Sequence, residues 1–365
     1  MGANRRQAGK PNIRMIAARV GLSASTVSLA LRGAGNIPPE TRERVLAAAR
    51  ELNYVHNQRT SRPKGEQRRI LFVMQDHGDS PVAANPFYGT VLGGVEQECA
   101  AQGVGLSFAV LASTLPQDGA LPASLRGQSP DGVLLVGPYP LLVVRRISDE
   151  LGCPLVLVDN PLPGLPYDSV MADDFGGGYT AARHLIELGH RLLAVVIGPT
   201  LAAAQIPSFS ERYRGVCAAA AEAGLAPPAP LSPQGNHLAI RSTLEQALAQ
   251  PNAPTALFCV NDDYAVLAIQ ALRDLGRLVP RDLSVVGFDD LAVAQMTNPP
   301  LTTMHNHPRT LGLLGARRLL ARIAGEETPP WGSVLATRLV VRESTRALEP
   351  GGSPATTRDQ HQDAP

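Results

Sequence analysis

Four short apolar runs in this 365-residue chain end on acidic or amide side chains. Asp76 follows 70–74, Asp159 and Asn160 follow 155–158, Asn261 and Asp262 follow 256–260, and Asp289 and Asp290 follow 283–287. If the runs are strands of open α/β sheets, their carboxyl ends are where a ligand binds. Planar Arg and carboxylate groups placed there can each take two vicinal hydroxyls or a carboxylate, which suits a sugar or a small acid rather than a lipid. The alternative for each residue is to cap the helix that follows it. A second chemistry lies at the N-terminus. Residues 1–69 hold fourteen Lys and Arg against four Asp and Glu, a net +10, while the rest of the chain carries −9. A small basic module on a larger acidic body is an electrostatic footprint for a polyanion.

Other chemistries find no support. The chain lacks GxxxxGK[ST], GxSxG and HExxH, and Gly176-Gly177-Gly178 follows no nucleotide fingerprint. His305 and His307 flank Asn306 without a Cys, Asp or Glu cluster beside them in sequence, and read as a surface or hinge element rather than a metal site. Cys99, Cys153, Cys217 and Cys259 show no paired spacing, which excludes a disulfide framework and fits a reducing cytoplasm. Residues 1–10 have no apolar segment of the secretory kind, and the longest uncharged stretch, 192–210, is broken by Pro199 and Pro207. A cytoplasmic protein without cofactor, metal or membrane attachment is expected, and not an enzyme.

The elements that must position these residues are legible from periodicity. Ile13, Ile16, Ala17 and Val20 share one helical face, with Asn12 as a plausible cap before them. Gly21 permits a tight turn, and Ser23 can cap a second helix over 25–31 whose inward face is Val27, Ala30 and Leu31. A third helix is expected over 39–52. Two short helices joined by a glycine-containing turn make a helix-turn-helix. In that reading the second helix enters the major groove, with Ala24, Ser25 and Leu29 facing base edges and Thr26, Ser28 and Arg32 holding phosphates. Ala24 and Leu29 can touch a thymine methyl but make no bidentate bond, so direct readout is modest unless Arg14 adds to it. The alternative is a three-helix bundle that meets no nucleic acid.

Beyond residue 69, apolar runs at 70–74, 105–110, 133–136, 155–158, 192–197, 256–260 and 283–287 alternate with helical stretches. The helices are expected over 90–102, 180–188, 211–223, 241–249 and 265–275. This alternation indicates parallel sheets flanked by helices, and its length suits two doubly wound α/β subdomains better than one. No internal sequence repeat is evident.

The runs VGLSASTVSLAL and IPPETRERVLAAARELNY closely resemble the lactose-repressor/galactose-repressor family of bacterial regulators. HLIELGHR (184–191), FCVNDD (258–263), LVPRDLSVVGFDD (278–290), PPLTTM (299–304) and LVVREST (339–345) match in the family's order, so the resemblance covers roughly 12–346.

The resemblance implies a basic arm (1–11), a helix-turn-helix DNA-binding head (12–56), a hinge (57–69) and a periplasmic-binding-protein-like core (70–346). The core would divide near Met171, with three crossings between its subdomains, and 347–365 would be a disordered tail. A homodimer would read a pseudo-palindromic double-stranded DNA operator, in the cytoplasm and at the nucleoid. Operator affinity would answer to a small polar effector, a carbohydrate, held between the subdomains. By motif, Asp159, Asn261 and Asp289 match effector-contacting positions, and Arg212 in SERYRG matches the ligand-gripping arginine. Asp76 belongs to the same set of post-strand candidates, and Phe87, Tyr88 and His237 lie where a ring could stack on the ligand. DNA contacts are expected at Arg14, Ser23, Ala24, Ser25, Thr26, Ser28, Leu29, Arg32, Tyr54, Asn57 and Pro63. Pro63 stands where the family places a leucine wedge, and Pro38 where it places a capping serine. The alternatives are a sugar-transport binding protein, opposed by the basic head, and a sugar kinase with a helix-turn-helix head, opposed by the missing phosphate loop.

Overall fold

The computed structural model describes residues 13–31, 37–52, 67–76, 86–112, 121–126, 128–160, 164, 166–198, 206–233 and 236–348. The expected arm, most of the hinge and nearly all of the expected tail lie outside these residues, and the head and the core are separate compact units.

The described head comprises α1 (Ile13–Val20), α2 (Ala24–Leu31) and α3 (Pro39–Glu51). Its small core is Ile16, Ala17, Val20, Val27, Ala30, Leu31, Val45, Ala48 and Ala49, the apolar stripe of each helix. Helix α1 ends because Gly21 turns left-handed (φ +70°), which lets the Leu22 N–H donate back to the Ala17 carbonyl at 3.1 Å. Ser23 then accepts from the Thr26 N–H at 3.1 Å, starting α2 at Ala24, one residue earlier than expected. The two helices meet at 105°, within the range of a helix-turn-helix.

The core opens with β1 (Arg69–Asp76), α4 (Pro86–Ala101), β2 (Gly105–Ala112), α5 (Ala123–Arg126), β3 (Gly132–Val136), α6 (Leu141–Leu151), β4 (Leu155–Val158) and β5 (Asp168–Ala172). It continues with α7 (Asp174–Glu187), β6 (Leu193–Val196), α8 (Pro207–Glu222), β7 (Ala229–Leu231), α9 (His237–Leu248), β8 (Ala256–Cys259), α10 (Asp262–Asp274), β9 (Ser284–Asp289), α11 (Ala292–Met296) and β10 (Thr302–His305). It ends with α12 (Pro308–Ile323), β11 (Gly332–Leu335) and β12 (Arg338–Val340).

The strands form two six-stranded sheets, ordered β11-β5-β4-β3-β1-β2 and β12-β10-β9-β8-β6-β7. All pairings are parallel except β12 on β10. Central strands β3, β4 and β8 are buried throughout and therefore read as unbroken apolar runs. The topology repeats although the sequence does not: in each sheet the second strand lies outside the first, and the third lies on its other side. Between β1 and β3, and between β6 and β8, the strand order reverses, the place where doubly wound sheets open a crevice. The described chain passes from the first sheet to the second after β5, returns after β10 and crosses again after β11.

Most core helices begin earlier than periodicity suggested, because their first turns contain residues that read as breakers. Gly176, Gly177 and Gly178 lie inside α7, whose cap Asp173 accepts from the Gly176 N–H at 2.8 Å. Gly178 is required by packing, since a Cβ there would overlap the Arg212 carbonyl of α8. Gly215 of α8 meets the Phe175 carbonyl in the same way. The first lobe repeats the device, with Gly94 of α4 against Arg309 and Gly312 of α12 against Val91. Asn236 and Asn261 cap α9 and α10, and Pro207 opens α8. Among the described residues no single helix is long and apolar enough to cross a membrane.

Candidate functional site

The carboxyl ends of the central strands of both sheets face one cavity of about 200 Å³. Phe87, Tyr88, Pro138 and Asp159 line it from the first lobe, and Ile206, Ser208, Phe209, Arg212, Asn261, Asp263, Tyr264, Asp289 and Leu291 from the remainder of the chain.

Arg212 is held by four features around its guanidinium and is only 3% exposed. Nε donates to Asp174 Oδ1 at 2.8 Å and NH1 to the Val260 carbonyl at 2.6 Å, while Asp289 Oδ1 lies 3.3 Å from NH1. Its plane sits 3.7 Å over the centre of the Phe288 ring. Burial alone would lower its pKa, but Asp174 and Asp289 outweigh that and raise it. The group is a fixed cation whose Nε and NH1 are engaged, with no partner for NH2 among the described residues, which leaves it for a ligand oxygen.

Asp159 and Asp289 close the ends of β4 and β9 with left-handed backbones, φ 56° and 108°. Such conformations are costly for residues with a Cβ and recur where a side chain must be aimed. Asp159 Oδ2 accepts from the Tyr88 hydroxyl at 3.3 Å, and burial, reinforced by Asp174, pushes its pKa up to about 7 against the pull of Arg212. Burial likewise holds Asp289 well above the ordinary carboxylate range, although Arg212 opposes it and the Asn306 amide donates to its Oδ1 at 2.8 Å. Asn261 serves both readings of a post-strand residue: its Oδ1 caps α10 by accepting from the Tyr264 N–H at 2.9 Å, and its side chain also lines the cavity.

Of the expected effector residues, Phe87, Tyr88, Asp159, Arg212, Asn261 and Asp289 come together here. Asp76 ends β1, but its side chain lies outside the described residues. His237 is a correction: it opens α9, one helix away, and its Nε2 pairs with Asp274 Oδ2 at 3.2 Å. Asp262 and Asp290 are structural. Asp262 is fully buried and accepts from the Leu291 N–H and the Thr303 hydroxyl, and Asp290 pairs with Arg342 and His305. Asn160 is buried outside the lining. Among the described residues no cluster of three His, Cys, Asp or Glu side chains has metal-holding geometry.

Sequence reasoning missed Ser208, Phe209, Asp263 and Tyr264. Ser208 and Phe209 stand four and three residues before Arg212 on α8, the helical spacing of one face. Asp263 and Tyr264 lie in the first turn of α10, directly after Asn261. A larger hollow of about 750 Å³ lies at the opposite, amino-terminal ends of β1 and β2, beside Arg68, Gly103 and Val104. Two of its charges, Arg317 and Glu98, bond one another at 2.8 Å.

In the head, Arg14, Ala24 and Ser25 are exposed, and Thr26 and Leu29 are half-buried. The Ser23 hydroxyl is engaged at the start of α2, with the Ser25 and Thr26 hydroxyls both 2.8 Å away. Ser28 lies in α2 with its side chain outside the described residues, where Arg32, Tyr54, Asn57 and Pro63 also fall.

Comparison with known proteins agrees with both parts. Residues 12–57 match the family described as bacterial regulatory proteins, lacI family, and residues 182–345 match the periplasmic binding protein-like domain. The transcriptional regulator CelR of Thermobifida fusca is 33% identical over 344 residues, covering 92% of this chain and 98% of that protein. DegA of Bacillus subtilis is 30% identical, covering 93% and 99%. A solved CelR–cellobiose complex superposes with a TM-score of 0.68 at 32% identity, covering 92% of this chain and 99% of that one. The lac repressor dimer bound to operator shares the fold, with a TM-score of 0.66 at 23% identity over 93% of this chain and all of that one. A helix-turn-helix head and a two-lobed binding core, matched along nearly the whole length, place this chain in the LacI family of bacterial transcriptional regulators.

Proposed function

We propose that this regulator is a repressor whose hold on a pseudo-palindromic operator is controlled by a sugar-class effector in the cleft between its lobes. The observation that carries the reading is the meeting of Arg212, Asn261, Asp289 and Asp159 with the rings of Phe87, Tyr88 and Phe209 at the strand ends of two sheets. Carboxylates and a guanidinium take vicinal hydroxyls in pairs, and aromatic rings cover the apolar face of a pyranose. The relatives support the class: CelR is solved with cellobiose, and a LacI-family regulator of Enterococcus faecium, 25% identical with a TM-score of 0.64, with ribose.

In this reading residues 12–56 form the DNA-binding domain, 57–69 the hinge and 70–346 the effector-binding and dimerisation core, with a homodimer presenting two heads at the nucleoid. Helix α2 enters the major groove with Ala24, Ser25 and Leu29 toward the bases, while Thr26, Ser28 and Arg32 hold phosphates, Arg14 adds to the readout, and Tyr54 and Asn57 make further DNA contacts. Effector binding changes the relation of the lobes, and a preference of about 5.5 kcal/mol for one state would carry occupancy from 99:1 to 1:99.

The test is operator titration, by fluorescence anisotropy on DNA from upstream of the gene, with and without a sugar that raises thermal stability. Arg212→Ala should bind operator normally at a temperature where it remains folded and lose the effector response. An unchanged response refutes the cleft assignment. Pro63→Leu should tighten operator binding by restoring an apolar wedge and hinge helicity, and equal or weaker binding counts against the hinge reading.

A further inference from the structure

The charge inventory of the cleft says more about the effector than that it is polar. Among the described residues lining the cavity, Arg212 is the only cation, whereas Asp159, Asp263 and Asp289 are all acidic. Arg212 is already compensated at its Nε by Asp174, which is 7% exposed. The core segments outside the description, 77–85, 113–120, 161–163, 199–205 and 234–235, contain neither Lys nor Arg, and no lysine follows Lys64 anywhere in the chain. These segments add no Lys or Arg to the balance.

Free acceptors point the same way. Asp289 receives both the Arg212 NH1 and the Asn306 amide on Oδ1, and Asp159 receives the Tyr88 hydroxyl on Oδ2. The other oxygen of each carboxylate meets no protein donor among the described residues. We infer that the effector is a hydrogen-bond donor without negative charge, a neutral polyol or an amine-bearing sugar, and that Asp159 and Asp289 together exclude sugar acids and sugar phosphates. This rests on the reading of the cleft as a sugar site and narrows it by charge.

With Asp159 and Asp289 both protonated and Asp174 and Asp263 ionised, Arg212 is still outweighed and the cluster has no positive surplus. With both ionised the surplus is more negative. An incoming carboxylate or phosphate would enter a site screened from water with no counter-charge of its own, and like charges across such an interface cost several kcal/mol. A hydroxyl donates to either free oxygen, and an ammonium group gains an ion pair.

The experiment is a calorimetric and thermal-shift comparison using full-length protein. The probes are D-glucose, D-galactose and D-xylose, their α- and β-linked disaccharides, and for each hexose the uronic acid, the 6-phosphate and the 2-amino sugar. Binding is expected among neutral or amino members, with the acid and the phosphate of any binder at least ~100-fold weaker than the parent. The variant carrying both Asp159→Asn and Asp289→Asn, shown folded by circular dichroism, should bring that ratio within ~10-fold. An acid or phosphate binding as tightly as its parent overturns the inference and leaves the sugar site standing, as does a ratio unchanged in the double variant. Silence of the folded wild type across the whole panel overturns the sugar reading, and this inference with it.

Discussion

The two lobes of the core repeat one topology and divide the recognition work unequally. Each sheet carries the same strand order, and each lobe packs one helix pair so closely that only glycine fits at the crossing, Gly94 with Gly312 in the first and Gly178 with Gly215 in the second. Each also ends a central strand on an aspartate in the left-handed region, Asp159 and Asp289. Yet, with two aromatic rings each (Phe87 and Tyr88, Phe209 and Tyr264), the first lobe adds only a proline and one carboxylate, whereas the second brings the guanidinium, the amide and two carboxylates. The difference teaches that the scaffold is shared while the chemistry is local. Rings of both lobes can cover a polar ligand, and the second lobe carries most of the groups that orient it.

The largest expected effect tests the shared scaffold. Gly178→Val and Gly312→Val each push a side chain into a helix carbonyl that cannot rotate away, and each should cost about 3 kcal/mol or more by urea denaturation. Gly89→Ala, on α4 where a Cβ meets nothing within 4 Å, should instead gain up to about 1 kcal/mol. If one of the two valine variants is tolerated, the lobes are not built alike.

Next in size is the effect of the two strand-end aspartates. Asp159 titrates near 7 folded against 3.8 as an ordinary carboxyl, so the stability of its protonated form is complete below about pH 4 and lost as pH rises through 7. Asp159→Asn should therefore gain roughly 2 to 4 kcal/mol on the wild type between pH 4 and 8, in denaturation curves taken at both. Asp289→Asn should gain in the same direction, because burial holds Asp289 well above the ordinary carboxylate range against the pull of Arg212. A pH profile of stability unchanged in both variants would show that neither carboxyl is displaced by its burial.

The smallest effect concerns helix starts. The second lobe caps α7, α9 and α10 with the side chains of Asp173, Asn236 and Asn261, whereas α12 of the first lobe starts at Pro308 behind a left-handed His307. Asn236→Ala, remote from the cleft, should cost about 1 kcal/mol in thermal unfolding without altering ligand affinity. No loss would mean that packing alone holds α9.

Much was legible without coordinates, and particular residues show why. The doubly buried strands β3, β4 and β8 are continuous apolar runs, and the head announces itself through Gly21, Ser23 and the stripe of Ile16, Ala17 and Val20. Edge strands β11 and β12 alternate weakly in burial and passed unnoticed. Helix α7 starts earlier than the pattern suggests because three consecutive glycines read as a break, when Gly178 permits the close crossing with α8, Gly177 leaves room for Phe288 and Thr337, and Gly176 for the capping carboxylate of Asp173. Helix α12 follows the second sheet in sequence and packs on the first, which no local pattern reveals.

The amino-acid sequence by itself determined what depends on local chemistry: a basic three-helix head, parallel α/β layers, polar residues after strands, and a family written in separated motifs. Tertiary structure decided which of those polar residues share a cavity. Asp159 and Asn261 lie 102 positions apart and meet because both lobes aim their strand ends at one cleft, while Asp262 and Asp290, adjacent to true lining residues, turn inward to Leu291, Thr303, Arg342 and His305. One step along a chain leaving a strand reverses the direction of a side chain, and only the packing around it settles which carboxylate faces the ligand and which the protein.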